Sequence, residues 1–226
     1  MNPVLKRVLT GLTIGAAVVA AILLAPEKAL DAVLLVLWAL LFAEYEALLR
    51  RKLSYASAPV LGFGLLGAGL ACITIMTLSL IVVLARHGNF MLFFVVAVVK
   101  FSDVGGFAFG LTSAKLMKGG NHKMCPTISP NKSWEGMFGS ILFSSIVAFA
   151  FTGVTHFAWW QSLACGFTGA VVGTAGDLVE SKFKRWVGVK DSSTMKITNG
   201  MGGFLDMFDS LLFAPAVLTV LFELFK

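Results

Sequence analysis

Asp177, Glu180, Ser181 and Lys184 fall at i, i+3, i+4 and i+7 within GDLVESKFKRWVGVKD, residues 176–191. On a helix this spacing gathers two carboxylates, a hydroxyl and an ammonium on one face. Farther along, Gly202 and Gly203 precede Asp206, Asp209 and Ser210, with the two aspartates again three apart. Paired glycines let backbone approach a ligand closely. Two acidic helix faces with a basic loop between them suit a metal–phosphate site. Carboxylates hold a hard divalent cation such as Mg2+, and Lys and Arg take the remaining phosphate charge. A juxtamembrane charge belt against anionic headgroups would also explain the basic residues. It gives no reason for four aspartates, Asp177, Asp191, Asp206 and Asp209, among them.

Two other polar stretches stand out. In VVKFSDVGGFAFG, residues 98–110, Lys100 and Asp103 sit three apart in an oily run. Charges placed there are costly unless they pair or line a watery cavity. A structural ion pair accounts for them as well as a functional site does. Gly105, Gly106 and Gly110 suit close helix packing. Residues 111–136 are rich in Gly, Pro, Ser and Asn and read as a loop with turns. Its end, SPNKSWEG, puts Ser129, Asn131, Lys132 and Ser133 just before an apolar run. Ser133 is expected to cap the following helix, whose first amides then face an anion. A positive loop explains Lys115, Lys118 and Lys123; it explains the Ser–Pro–Asn–Lys cluster less well. His122 reads as a solvated histidine in a basic loop. Cys72, Cys125 and Cys165 make neither a disulfide framework nor a zinc spacing.

The elements that must position these groups are membrane spans. The 226-residue chain is 58% hydrophobic and only 13% charged, too oily for a soluble domain of this size. Apolar runs of about 18 residues or more are candidate spans. Seven are expected, over 8–25, 30–49, 57–85, 89–111, 134–156, 158–176 and 203–225. The fold class is therefore an all-α polytopic membrane protein, with 1–88 as N-terminal spans and 89–226 carrying the motifs. The first run, behind Lys6 and Arg7, resembles a signal peptide; the later spans favour an uncleaved helix. With the amino terminus cytoplasmic, alternating spans put most lysines and arginines on the cytoplasmic side, as the positive-inside rule asks. The net charge of +6 then reflects topology and anionic ligands. No recognition motif or stacking platform points to nucleic acid.

These motifs together resemble the phosphatidate cytidylyltransferase, or CDP-diacylglycerol synthase, family. Its signature runs S-x-x-K-R-x4-K-D-x-[GS], then P-G-H-G-G-x-L-D-R-x-D-S. Ser181, Lys184, Arg185, Lys190, Asp191 and Ser193 match the first part. Gly200, Gly202, Gly203, Leu205, Asp206, Asp209 and Ser210 match the second. SDVGGFAFG and ISPNKSWEG are similar to two upstream family motifs, in the family's order. The resemblance covers about residues 90–225. In the first 85 residues it is limited to span character, with Glu44 as a candidate counterpart of an acid ending an early span. Four departures stand out: Met201 and Met207 replace a histidine and an arginine, Asn199 a proline, and Phe107 and Leu111 a tyrosine and a basic residue.

The resemblance implies transfer of the cytidylyl group of CTP to phosphatidic acid, giving CDP-diacylglycerol and pyrophosphate. It implies Mg2+ on Asp177 and Asp206, with a second cation left open. Asp209 and Asp191 would support that site. Lys184, Arg185 and Lys190 would bind phosphates, and Lys132, Ser129 and Asn131 would close over them. Asp103, Ser181, Gly202 and Gly203 would complete the substrate side. The expected setting is a bacterial inner membrane, with the site facing the cytoplasm and opening sideways to lipid; a homodimer is left open. Two alternatives stand. One is a CTP-dependent enzyme for another lipid phosphate, such as an archaeal-type ether lipid or a polyprenyl phosphate. The other, suggested by Met201 and Met207, is a non-catalytic relative.

Overall fold

The computed structural model describes residues 15–53, 59–190, 192 and 203–225. Asp191, Gly202 and Met201 lie outside these described residues. Proline marks two helix starts, as its fixed φ and missing N–H allow: Pro26 is the N-cap of α2 and Pro215 opens α8. The helices are α1, described over Gly15–Leu24, then α2 (Glu27–Lys52) and α3 (Pro59–Leu116). After a short hairpin come α4 (Trp134–Ala150), α5 (Thr152–Thr155) and α6 (Trp159–Val187). The chain ends in α7 (Phe204–Phe208), a 3-10 turn (Asp209–Leu211) and α8 (Ala214–Leu224).

Each expected apolar run contains helix among the described residues. Among the described residues four stretches are long and apolar enough to cross a membrane: Glu27–Lys52, Val60–Leu116, Trp159–Val187 and Phe204–Leu224. Two features account for the difference from seven. Two expected runs share α3, which bends at Gly88, where φ 78 and ψ −179 interrupt the helical backbone. Positive φ there favours glycine. Gly15–Leu24 and Trp134–Ala150 are apolar but shorter. The last expected run, already among the four, carries a 3-10 turn between α7 and α8.

Two further boundaries moved. The sixth helix continues eleven residues beyond the apolar run, through the charged stretch, and stops at Gly188 in the left-handed region, φ 88. Lys184 and Arg185 in its last turn complement the helix dipole. The polar loop, expected to form turns, is partly ordered as a short hairpin within the all-α fold. β1 (Lys123–Cys125) pairs antiparallel with β2 (Ser129–Ser133), with Lys123 opposite Ser133 and Cys125 opposite Ser129.

Close helix packing brings the polar segments together. A Cβ at Gly139 of α4 would lie 2.5 Å from both Gly105 O and Phe109 Cβ of α3. A Cβ at Gly176 of α6 would lie 2.5 Å from Asp209 O. Only bare glycine backbone lets these elements approach so closely. Leu41, Leu48, Ile73, Met76, Phe94, Leu218 and Phe222 form a fully buried core. Val60, Phe63, Ile146 and Trp159 are exposed on outer faces, which suits lipid rather than water. The Gly88 kink is tied to neighbouring segments: Arg86 pairs with Glu223 at 2.8 Å, and Asn89 donates to Ala25 O at 2.8 Å.

Candidate functional site

A cavity of about 360 Å³ opens between α3, the hairpin, α4, α6 and the broken last run. Asp103, Ser129, Asn131, Lys132, Asp177, Asp206 and Asp209 all line it, so half of the expected site residues meet in one place. Lys100, Phe107, Met124, Met137 and Thr174 line it too.

The hairpin delivers Lys132 across the cavity. Lys132 Nζ lies 2.5 Å from Asp177 Oδ2. Two local contacts hold the hairpin's exit. Ser133 Oγ accepts from Gly136 N at 3.1 Å, the expected N-cap. His122 Nδ1 lies 2.6 Å from Glu135 Oε1, and the His122 amide also donates to that carboxylate. His122 therefore anchors the loop through Glu135 while its side chain stays 75% exposed, solvated as expected.

On α6 the helical spacing works as expected. Ser181 Oγ donates to Asp177 Oδ1 at 3.2 Å. Lys184, 9% exposed, bridges two carboxylates: Glu180 Oε2 at 2.7 Å and Asp206 Oδ1 at 2.5 Å. Asp206 Oδ2 also accepts from Ser192 N at 2.9 Å and Gly203 N at 3.0 Å. The Gly203 contact arises because Asp206, in the first turn of α7, reaches back to its N-cap amide. Asp206 is thus saturated by an ammonium and two backbone donors.

Asp209 reaches the cavity by a different route. α7 ends at Phe208 and the 3-10 turn carries Asp209 toward Gly176. Lys100 fastens this turn. Its Nζ donates to Met207 O and Ser210 Oγ, each at 2.9 Å, and to Asp103 Oδ2 at 3.2 Å. Ser210 Oγ in turn donates to Asp103 Oδ2 at 2.8 Å. The Lys100–Asp103 pair is real, and it reaches across to the last run.

The acidic groups divide into two sets. Asp177, Glu180 and Asp209 each bring a carboxylate oxygen within 4.8 Å of the others. Glu180 is 3% exposed, and its Oε1 has no hydrogen-bond partner among the described residues. A buried carboxylate oxygen without a partner is costly, and a cation would supply what the fold withholds. Three hard oxygen donors suit a divalent ion such as Mg2+. Asp206, expected as a ligand beside Asp177, belongs to the second set, on Lys184. Glu180 was visible in sequence only through its spacing of three from Asp177. Lys100 was visible through its place in an oily run. Arg185 and Lys190 are exposed and do not line the cavity; Arg185 donates to Val189 O at 3.2 Å.

The cavity sits on segments that a known family shares. The family model described as the cytidylyltransferase family matches residues 55–225. The chain belongs to the cytidylyltransferase family. Several relatives are named phosphatidate cytidylyltransferase. The Staphylococcus epidermidis protein is 42% identical over 130 residues, covering 57% of this chain and 47% of the relative. The Staphylococcus saprophyticus protein is 41% identical over 137 residues, covering 60% and 50%. The Staphylococcus aureus protein is 42% identical over 126 residues, covering 55% and 45%. This cytidylyltransferase-family chain thus spans about half the length of the relatives it matches. Every described residue of the cavity wall falls inside the family match, whereas α2 falls outside it.

Proposed function

We propose that the protein transfers the cytidylyl group of CTP to phosphatidic acid, giving CDP-diacylglycerol and pyrophosphate. What carries the reading is one cavity in a cytidylyltransferase-family chain, lined by Asp177 and Asp209 of the acidic trio and by the ammonium groups of Lys100 and Lys132. In this reading a lipid phosphate oxygen attacks the α-phosphorus of CTP. A P–O bond forms there while the α–β bridging P–O bond breaks, and pyrophosphate leaves with that electron pair. The attacking phosphate is already anionic, so no strong general base is needed. The work is bringing anions together and stabilising the leaving charge.

Asp177, Glu180 and Asp209 would hold a divalent cation, which supplies neutralising charge to phosphate oxygens. Lys132 exchanges its partner Asp177 for an incoming phosphate. Asp206 orients Lys184, and Lys100 with Asp103 holds the turn that bears Asp209. Ser129 and Asn131 offer hydrogen bonds from the hairpin. Arg185 and Lys190, exposed beyond the cavity, meet phosphates on their way in.

The site is assigned to the cytoplasmic face of a bacterial inner membrane. The distribution of lysine and arginine supports that orientation. Taking α1, α2, the two arms of α3, α4, α6 and the α7–α8 run as crossings makes seven, in one membrane domain. Detergent-purified protein given CTP, phosphatidic acid and Mg2+ is expected to release pyrophosphate only when all three are present. No release from folded protein refutes the assignment. Faster release with another lipid phosphate reassigns the acceptor.

A further inference from the structure

Glu44 lies on α2, outside the segment that matches the family. It is 1% exposed, in a helix whose neighbours Leu41, Leu48 and Leu49 are fully buried core. A carboxylate in such a place is expensive unless its charge and lone pairs are used. Its Oε2 accepts the backbone N–H of Leu205 at 2.7 Å, across 161 residues of chain. Leu205 N is one of the first amides of α7, which the helix itself cannot satisfy. Gly203, just before α7, has no room for a side chain: a Cβ there would run into Glu44 Oε1 and Ser192 Oγ. Ser192 Oγ also accepts from Asp206 N, at 3.3 Å. Glu44, Ser192 and the entry of α7 are therefore one packed unit, and Asp206 is its outward-facing member.

The base of this unit is stiff. Tyr45, next to Glu44, stacks on Phe183 of α6 with ring centroids 4.8 Å apart. Phe183 immediately precedes Lys184. One turn of α2 thus contacts both the residue beside Lys184 and the segment bearing its partner Asp206. We infer that Glu44 is a positioning residue for the Asp206–Lys184 pair, brought to the site by a helix outside the family-matched segment. Its carboxylate sets where α7 begins, and so where Asp206 meets the ammonium. Glu44 is not among the residues that line the cavity, and its described contact with Leu205 reaches the site through those two groups.

The kinetic arm of the test rests on the cytidylyltransferase reading above; a second arm does not. Glu44→Ala removes the acceptor, and Glu44→Gln keeps a carbonyl oxygen at the same reach. Ala is expected to lower kcat at least tenfold with KM for CTP and lipid within threefold, and Gln to recover at least a third of kcat. Without substrates, amide exchange in the peptide covering 203–211 is expected to accelerate in the Ala variant and not in Gln. Folded Ala protein with kcat within twofold and unchanged exchange overturns the inference, as does equal loss in Ala and Gln. If Ala does not accumulate folded, Glu44→Asp withdraws the carboxylate by one carbon, and unchanged kcat and exchange there overturn it equally. Unsubstituted protein that releases no pyrophosphate would sink the proposed reaction and leave the exchange comparison to decide this point.

Discussion

Lys184→Met isolates what the buried ammonium does. Glu180 Oε2 and Asp206 Oδ1 lie 2.7 and 2.5 Å from the same nitrogen. The two carboxylates are therefore within about 5 Å of each other, a bound that follows from the contact lengths. Methionine fills much the same volume but removes the charge between them. With an effective dielectric of about 20, two like charges at about 5 Å repel by about 3 kcal/mol. Stripping one partner from a buried ion pair costs about 3–5 kcal/mol, so the two routes agree. The folded-to-unfolded ratio should fall by about 100-fold or more. The assay is reversible unfolding in mixed micelles, with chelator present so that no added cation masks the repulsion. Glu180→Gln in the same chain removes one of the two charges. The double variant is expected to recover about 2–3 kcal/mol, a coupling that a double-mutant cycle reads directly. Lys184→Met within about 0.5 kcal/mol of the unsubstituted protein, the range of a bland surface change, would refute the reasoning. So would a double variant less stable than Lys184→Met alone.

Asp177→Asn and Asp209→Asn should each weaken Mn2+ binding at least tenfold in the absence of nucleotide, read by the EPR signal of free Mn2+, with folding retained; undiminished binding in either removes that residue from the ligand set. Gly139→Ala should cost about 1–3 kcal/mol by forcing α3 and α4 apart, since the new methyl meets backbone and Phe109; an unchanged melting temperature would show that the helices part without cost.

Periodicity made half of the site legible. Asp177, Ser181 and Lys184 needed only a helix to share a face, and α6 runs through all of them. Ser133 was readable as a cap because a polar residue stands at the edge of an apolar run. What spacing could not give was the partner across elements. Lys184 finds Asp206 22 residues away, and Lys100 finds Ser210 110 residues away. Nor could it tell which of Asp206 and Asp209 would face Asp177. That choice depends on the break after Phe208, whose φ −118 and ψ 7 leave the helical region. Asp206, Asp209 and Ser210 flank the break, but the run as a whole is apolar enough to read as one span, so its average composition hides it. The hairpin was hidden for a different reason: Ser, Pro, Asn and Lys favour turns over strands. Its order comes from pairing with Lys123–Cys125 and from the Glu135 anchor, neither of which is local. Glu44 showed only as a candidate counterpart of an acid ending an early span; its contact with the Leu205 amide was hidden because backbone amides have no sequence signature.

That last point has a mirror in the other clamp on the same segment. Lys100 is held in part by the carbonyl of Met207, near a helix end where carbonyls are released from the helical ladder. The bond belongs to the main chain, so the side chain at 207 is not what receives the ammonium. Position 207 is therefore free to drift: any residue that keeps the turn keeps the acceptor. Mutational robustness here comes from writing one half of a polar contact in the part of the protein that substitution does not change.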